Sequence, residues 1–386
     1  MIGEPDGDQA VLLESARKFG KSVLTPELAV QIENDERFPE EVYAQMADLG
    51  WLGIPFPEEY GGAGGDLMTM LFLLESLSTS LFAAGNIYFR NVVNGGLNVL
   101  SSGTPEQKSQ ILPDLIAGRI KMCFAMTEPD AGSDVSNMRT FAKREGDVYR
   151  VSGSKVFITG AAESNWMQLF CRTGEGKRDV SVLLVETNSK GITFTPIPKL
   201  GNNGIKTYEV RLDDVLVPAE NILGEENHAW AHVRRSLDLE RLAVSTECIG
   251  GARACFDLAL QYATSRVQFG HPIVEFQALQ HKLVDMRLDL QASRLLTYQA
   301  AEVVSRGDRA DLPAAMAKYH TGQTYFRCAI DAMSILGGYG YTKSFEAERH
   351  LRDAALYRIV PAQEVLKDTM AKAILREAQS EQSAGR

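Results

Sequence analysis

Cysteines are few and long apolar runs are missing, and both shortages restrict what this protein can be. The 386 residues include five cysteines, an odd number with no C-x-x-C pair, which argues against a disulfide framework and a zinc ribbon. No apolar run reaches about 18 residues, so no membrane span is expected. The N-terminus lacks the basic and apolar segments of a signal peptide. The predicted location is the reducing cytoplasm.

Long basic runs are also missing. Fifty acidic and forty basic residues give a formal charge of −10, which argues against nucleic acid or an anionic membrane as the main partner. With 45% hydrophobic and 23% charged residues, the chain can bury large cores, and its length favours two or three domains. The expected partner is a small molecule or another protein.

The spacing of apolar residues divides the chain into three regions. Helical spacing covers the first region, as in the dense run 67–82, and returns after about residue 227. Between them, short β-branched and aromatic segments alternate with Gly, Asn and Asp turns. These patterns predict a multi-domain α+β fold. It has an N-terminal α-helical domain (1–120), a middle β domain (121–226) and a C-terminal α-helical domain resembling a four-helix bundle (227–386).

The most informative motif is Met-Thr-Glu-Pro-Asp-Ala-Gly-Ser-Asp at 126–134, a hydroxyl-rich turn before the β-patterned region. It resembles the flavin-binding loop of the acyl-CoA dehydrogenase family, and the α–β–α order is similar to that family over nearly the whole chain. The resemblance implies FAD as cofactor, with Thr127 at the flavin and Ser133 at a phosphate or the pantetheine arm. Phe124 stands where the family often has tyrosine.

Other segments resemble further parts of the family's cofactor site. In Val156–Gly160 the resemblance assigns an aromatic ring that stacks on the flavin and a threonine that bonds beside it. Arg266–Gly270 resembles an Arg-x-x-Phe-Gly segment whose arginine reaches the FAD pyrophosphate of a neighbouring subunit. Ser334 replaces a glutamine that many relatives carry. The cofactor-binding residues implied are Phe124, Thr127, Phe157, Thr159, Arg266, Phe269, Gln277, Gln280, Gly337 and Gly338.

The catalytic base departs from the commonest family pattern. Pro361 occupies the place where medium- and short-chain members carry their glutamate, and proline cannot accept a proton. Leu239-Glu240-Arg241 resembles the segment that supplies the base in isovaleryl- and long-chain members, so the predicted base is Glu240, with Glu364 as a weaker candidate. The run 242–252 that follows is apolar or small nearly all round. The predicted substrate-binding residues are Ser133, Asp238, Arg241 and Ala362.

The family resemblance implies that FAD-dependent dehydrogenation converts an acyl-CoA thioester to the trans-2-enoyl-CoA. Expected partners are the acyl-CoA, an electron-transfer flavoprotein and further copies of the chain, as a homotetramer or homodimer. Alternatives are an enoyl-CoA reductase running in reverse, a non-catalytic or partner-dependent subunit, and an oxidase or monooxygenase. Segment 86–98 either lines the acyl end or is an ordinary helix–loop junction. His228 and His232 lack further ligands nearby, and no metal is predicted.

Overall fold

The structure, a computed structural model, describes residues 4–360 and 363–384, and it begins with a helical domain. The first helix starts at a capping box, in which Gln9 N donates to the Asp6 carboxylate (2.9 Å) and Asp6 N donates to the Gln9 side chain (3.0 Å). The helices are α1 (Gly7–Ser22), α2 (Pro26–Asp35), α3 (Glu40–Asp48), α4 (Leu67–Ser80) and α5 (Phe82–Tyr88), then a π-helical segment (Phe89–Leu97), α6 (Asn98–Ser102) and α7 (Pro105–Ile116).

The middle domain is a β-sheet with its own core. Its order is β1-β4-β2-β3-β7-β6, with β5 paired to β4, and the two longest strands, β3 and β7, are antiparallel. Their register shifts between Lys155 and Ile158, which produces a bulge in β3. The strands are β1 (Met122–Ala125), β2 (Phe141–Glu145), β3 (Val148–Thr159), β4 (Trp166–Arg172), β5 (Val180–Glu186), β6 (Ile192–Ile197) and β7 (Thr207–Pro218).

The C-terminal region is helical, as its periodicity predicted. Its longest helix, α8, has 37 residues and is about 55 Å long at 1.5 Å per residue. A short hairpin, β8 (Val267–Gln268) and β9 (His271–Pro272), separates α8 from the next helix. The helices are α8 (Ala229–Ser265), α9 (Gln277–Ser305), α10 (Asp311–Leu336), α11 (Ala347–Leu356) and α12 (Gln363–Ala384), of which the sequence patterns did not predict α11.

One core joins the two helical domains, with α8 between α4 and α10. A Cβ atom at Gly250 would lie 2.5 Å from Ser78 Cβ of α4, and one at Gly251 would lie 2.4 Å from the Tyr325 ring of α10. The glycines therefore allow α8 to pack closely on both sides. Across the described ranges, none of the helices combines the length and the apolar character that crossing a bilayer needs.

Candidate active site

The turn that carries Thr127 is held by a buried ion pair. Glu128 and Ala131 exchange backbone hydrogen bonds of 3.1 and 3.2 Å, which closes the turn. The Glu128 carboxylate accepts hydrogen bonds from the backbone N–H groups of Arg139 (2.6 Å) and Thr140 (2.9 Å). It also pairs with the fully buried Lys155 (2.8 Å), whose ammonium donates to the carbonyl of Met126 as well (3.0 Å). Lys155 thus ties the turn to β3.

Charge and hydrogen bonding keep Glu128 ionised. Burial by itself would raise the pKa of this carboxyl. The attraction of Lys155 and the hydrogen bonds that the carboxylate accepts instead lower the pKa below its usual range. A buried carboxylate with this many donors is a rigid support rather than a proton carrier. The sequence motif drew attention to the hydroxyls of the turn, and the partner of Glu128, 27 residues away, was not predicted.

The end of β3 presents Phe157 and Thr159 beside this turn. Val156 N donates to the Thr127 carbonyl (2.9 Å), which joins strand and turn directly. Phe157 has φ +61°, a left-handed conformation that is rare for an aromatic residue, and its side chain is 64% exposed. Thr159 Oγ1 lies 3.1 Å from Thr207 Oγ1 of β7. The structure therefore brings Thr127, Phe157 and Thr159 together.

The other two residues of this region occupy different environments. Phe124, in β1, is partly buried, and its ring centroid lies 4.7 Å from that of Phe170 in β4. The fold thus uses the Phe124 ring for packing between strands. Ser133 is exposed beyond the Glu128–Ala131 turn, where its hydroxyl is accessible to a ligand.

Glu240 lies on α8 and faces a lysine of α10. Its side chain is 30% exposed, and Oε1 lies 3.6 Å from Nζ of Lys318, whose side chain is 3% exposed. Arg241 is buried, its Nη1 lies 3.2 Å from Asp238 Oδ1, and its Nε has no hydrogen-bond partner among the described residues. Burial raises the pKa of Asp238, and the attraction of Arg241 opposes this. A partly accessible carboxylate therefore stands beside an arginine with a free donor.

A second carboxyl group, Glu247, lies two helical turns after Glu240. It is completely buried and accepts a hydrogen bond from Asn86 Nδ2 (3.1 Å). Burial raises the pKa of Glu247, and this effect exceeds the lowering by the Asn86 hydrogen bond and by the attraction of Lys318. The resulting pKa is about 8, so Glu247 is mainly protonated at neutral pH. Residues 242–252 are apolar or small nearly all round, as the sequence analysis describes, but that description leaves out Glu247, which lies within this run. The sequence signal for Lys318 and Glu247 was a single charge in an otherwise apolar helical run.

The remaining predicted cofactor residues form a separate group at the far end of α8. Arg266 directly follows the last residue of α8, and its guanidinium lies 6.0 Å from the Tyr339 ring centroid. Phe269 has φ +56° and is 90% exposed. Glu240 and Arg266 are about 39 Å apart along the helix at 1.5 Å per residue. The other members of the group are Gln277 and Gln280, exposed one turn apart at the start of α9, and Gly337 and Gly338 after α10.

Three regions of the chain match domains of one family along nearly the whole length. They are described as acyl-CoA dehydrogenase N-terminal domain (residues 6–119), middle domain (123–215) and C-terminal domain (227–375). The chain belongs to the acyl-CoA dehydrogenase family. This confirms the family and the three-part α+β fold expected from the sequence.

Relatives in this family include enzymes named for either direction of the reaction. The 3-(aryl)acrylate reductase of Clostridium sporogenes is 37% identical, with 89% of this chain and 92% of that protein covered. The caffeyl-CoA reductase-Etf complex subunit CarC of Acetobacterium woodii is 36% identical, with coverage of 89% and 92%. The structure of butyryl-CoA dehydrogenase from Megasphaera elsdenii has a TM-score of 0.92 and 31% identity, with 96% and 99% of the two chains covered.

Acyl-CoA dehydrogenases are FAD-dependent oxidoreductases, and the two groups of residues in this flavoprotein fit that cofactor. The exposed Phe157 ring offers a flat apolar surface to an isoalloxazine ring, with the Thr127 segment beside it. The Arg266 guanidinium suits a pyrophosphate. Apart from their chain neighbours, no described residue has an atom within 4 Å of the positions that a Cβ would take at Gly337 and Gly338, so a ligand can approach their backbone closely.

Some of the residues singled out in the sequence lie outside the described part of the acyl-CoA dehydrogenase chain. Pro361 and Ala362 are in the gap between the two described ranges, so the substrate contact predicted for Ala362 falls outside the described residues. The side chain of His232 is also outside it, and the described residues contain no group of three or more metal-ligating side chains. Glu364 is exposed on the first turn of α12.

Proposed function

We propose that this acyl-CoA dehydrogenase uses Glu240 to remove the α-proton of an acyl-CoA thioester while the β-hydride is transferred to FAD. The observation that supports this most is the position of the Glu240 carboxylate, partly exposed and held 3.6 Å from the buried Lys318 ammonium. The subset of the family that includes isovaleryl- and long-chain enzymes places its base in a matching Leu-Glu-Arg segment. Pro361, at the alternative position, has no group that accepts a proton.

The neighbouring residues position the substrate for this proton transfer. Lys318 fixes the Glu240 carboxylate, and Arg241, with its unpaired Nε, is placed to contact the thioester or the CoA arm. The Ala362 N–H is proposed to donate to the enolate oxygen, because negative charge develops there as the α-proton leaves. Asp238 orients Arg241, and Ser133 contacts a phosphate or the pantetheine arm. FAD, when bound, supplies the hydride acceptor at N5.

The test of this function is an anaerobic titration of the purified holoenzyme with acyl-CoA thioesters. We expect the absorbance band of oxidised FAD at about 450 nm to bleach with at least one short, long, branched or aryl thioester. The corresponding free acids should leave the band unchanged, because without the thioester the α-proton is not acidic enough. A yellow protein that none of the thioesters bleaches contradicts the proposal, and a colourless protein that takes up no FAD favours a non-catalytic subunit.

A second candidate is the reverse reaction, reduction of a 2-enoyl-CoA. The two relatives named above are an arylacrylate reductase and a subunit of a caffeyl-CoA reductase–Etf complex. The same residues serve both directions, with Glu240 returning the proton. Reoxidation of dithionite-reduced enzyme by an arylacryloyl-CoA, at a rate far above that of bleaching by the saturated thioester, would favour the reductase. An electron-transfer flavoprotein is the proposed redox partner in either direction, and a cytoplasmic location stays a prediction.

The separation of the two residue groups supports a homo-oligomer, proposed as a dimer or tetramer. Arg266 lies about 39 Å along α8 from Glu240, so it is poorly placed for the flavin that Glu240 serves. Arg266 is exposed, and so is Phe269. We therefore propose that Arg266 and the residues around it bind the FAD of a neighbouring subunit.

Mixed oligomers test this arrangement. Glu240→Gln subunits lack a base but supply Arg266, and Arg266→Met subunits keep the base but lack the phosphate contact. When the two variants are co-expressed with different tags and the mixed oligomers are purified, we expect activity above that of either variant alone. Separately purified variants mixed in the same ratio are the control. If mixed oligomers are no more active than this control, Arg266 does not serve a neighbour's flavin.

A further inference from the structure

The Arg90 guanidinium lies beside the end of β3 that is proposed to contact the flavin. A Cβ atom at Gly160, the residue directly after Thr159, would lie 3.1 Å from Arg90 Nη2. Arg90 also interacts electrostatically with Glu247, which in turn interacts with Glu240. Arg90 belongs to the π-helical segment between α5 and α6, and this segment therefore faces the site.

Arg90 has a charge without a matching partner. Within residues 4–360 and 363–384, it forms neither a hydrogen bond nor an ion pair, although it is partly buried. Burial lowers its pKa to about 10, so it is still a cation at neutral pH. A desolvated guanidinium is costly unless an anion or several acceptors satisfy it.

Neither of the two nearby glutamates forms a hydrogen bond or an ion pair with Arg90. Glu163 accepts a 2.6 Å hydrogen bond from the Tyr208 hydroxyl at Oε1, and its Oε2 has no hydrogen-bond partner among the described residues. Glu247 accepts one from Asn86, and its raised pKa leaves it mainly uncharged. Lys199, a second cation that interacts with Arg90, donates to the carbonyls of Asn202 (2.7 Å) and Ile205 (2.6 Å). The surroundings of Arg90 therefore favour an incoming anion over a neutral or cationic group.

We propose that Arg90 binds a carboxylate at the far end of the acyl group, so that the substrate is the thioester of a dicarboxylic acid. The inference rests on the proposed function, because it needs the thioester to lie beside Glu240. A carboxylate can accept two parallel hydrogen bonds from a guanidinium, which satisfies the donors of Arg90 and fixes the chain direction. The second Glu247 oxygen, which has no hydrogen-bond partner among the described residues, adds a polar contact at the same end.

The test compares pairs of thioesters that match in chain length. Succinyl-, glutaryl- and adipyl-CoA are assayed against butyryl-, pentanoyl- and hexanoyl-CoA by flavin reduction. The wild-type kcat/KM should favour the diacid by about 10- to 100-fold for at least one pair, the range for a charge-assisted hydrogen bond. Arg90→Met should abolish this preference mainly through KM, and should leave kcat/KM for the matched monoacid within about threefold of wild type, because that substrate lacks the charged contact.

Two further variants separate recognition from folding. Arg150→Met removes an arginine of the middle domain that pairs on the surface with Glu145, and it should keep the full preference. Arg90→Lys keeps the charge but loses the bidentate geometry. Arg90→Lys should raise the Kd for the best diacid and leave the Kd for the monoacid unchanged. Both constants are measured from the FAD spectrum in a Glu240→Gln background.

The failures of the two proposals can be told apart. If monoacids bleach the flavin as well as every diacid of equal length, the Arg90 proposal is wrong and the dehydrogenase proposal stands. If Arg90→Met lowers kcat/KM equally for both members of a pair, Arg90 is structural and the proposal is again wrong. If no thioester of either kind bleaches the flavin, the proposed function itself fails, and the Arg90 proposal fails with it.

Discussion

Glu240→Gln is expected to lower the rate constant of flavin reduction by about 10²- to 10⁴-fold, the usual contribution of a general base. Glutamine has nearly the same shape but cannot accept the α-proton. Because the amide retains an oxygen that faces Lys318, α8 and α10 should pack as before. The measurement is stopped-flow absorbance of FAD with the best thioester, under anaerobic conditions and at saturating substrate.

Glu364→Gln is the matched control for this experiment. Glu364 lies three residues after Pro361 and is exposed on α12, and it is the other carboxylate near the family's usual position for the base. The variant should reduce flavin at the wild-type rate. If Glu364→Gln is slow and Glu240→Gln is fast, the base comes from α12 and the mechanism proposed here is wrong. Retained binding of substrate by Glu240→Gln, seen as a spectral shift, shows that the site is intact.

Lys155→Met is expected to lower the free energy of unfolding by about 3–5 kcal/mol, because it leaves the buried Glu128 carboxylate without its cation. Lys155 is fully buried and Glu128 is 5% exposed. The turn with Thr127 depends on this pair, so the affinity for FAD should fall as well. Urea unfolding followed by circular dichroism gives the free energy, and FAD fluorescence during dialysis gives the affinity.

Two comparisons distinguish the loss of this pair from a general effect of removing lysine. Lys143→Met breaks an exposed pair with Glu145 on β2 and should change stability by less than about 1 kcal/mol. Adding Glu128→Gln to Lys155→Met removes the isolated charge and should restore part of the lost stability. Equal effects of Lys155→Met and Lys143→Met would show that the buried pair does not hold the turn.

The same pair gives a defined dependence of stability on pH. Since the pKa of Glu128 is lower in the folded protein, its contribution is fully present above the unfolded-state value of about 4.3 and is lost as the pH falls through the lower folded-state value. The stability difference between wild type and Lys155→Met should therefore shrink in acid. Because Lys155 stays protonated over this range, the change reports on Glu128.

Local patterns in the sequence identified those candidate-site residues that are close together in the chain. The Thr-Glu-Pro turn and the Phe157–Thr159 strand are adjacent in space because β3 follows the turn and hydrogen-bonds to it. The Arg266 segment was also placed correctly, after a long helix, because apolar spacing and the Phe269-Gly270 turn mark the end of α8.

The missing parts depend on pairs that are distant in the sequence. Asn86 and Glu247 are 161 residues apart, and Lys318 comes from another helix than Glu240. Helical periodicity shows that a position faces inward, but it does not identify the opposing side chain. A buried charge such as Lys155 or Glu247 therefore looked like an interruption of an apolar pattern, and its meaning became visible only when its partner was in place.

Phe157 and Phe269 share a property with a consequence for the cell. Both are aromatic residues at positive φ with strongly exposed rings, so strained backbone and apolar surface coincide at the same two points. FAD that covers these rings removes the surface from water and stabilises the folded chain by mass action. The supply of riboflavin should then control how much of the protein escapes aggregation and degradation, as well as how much of it is active.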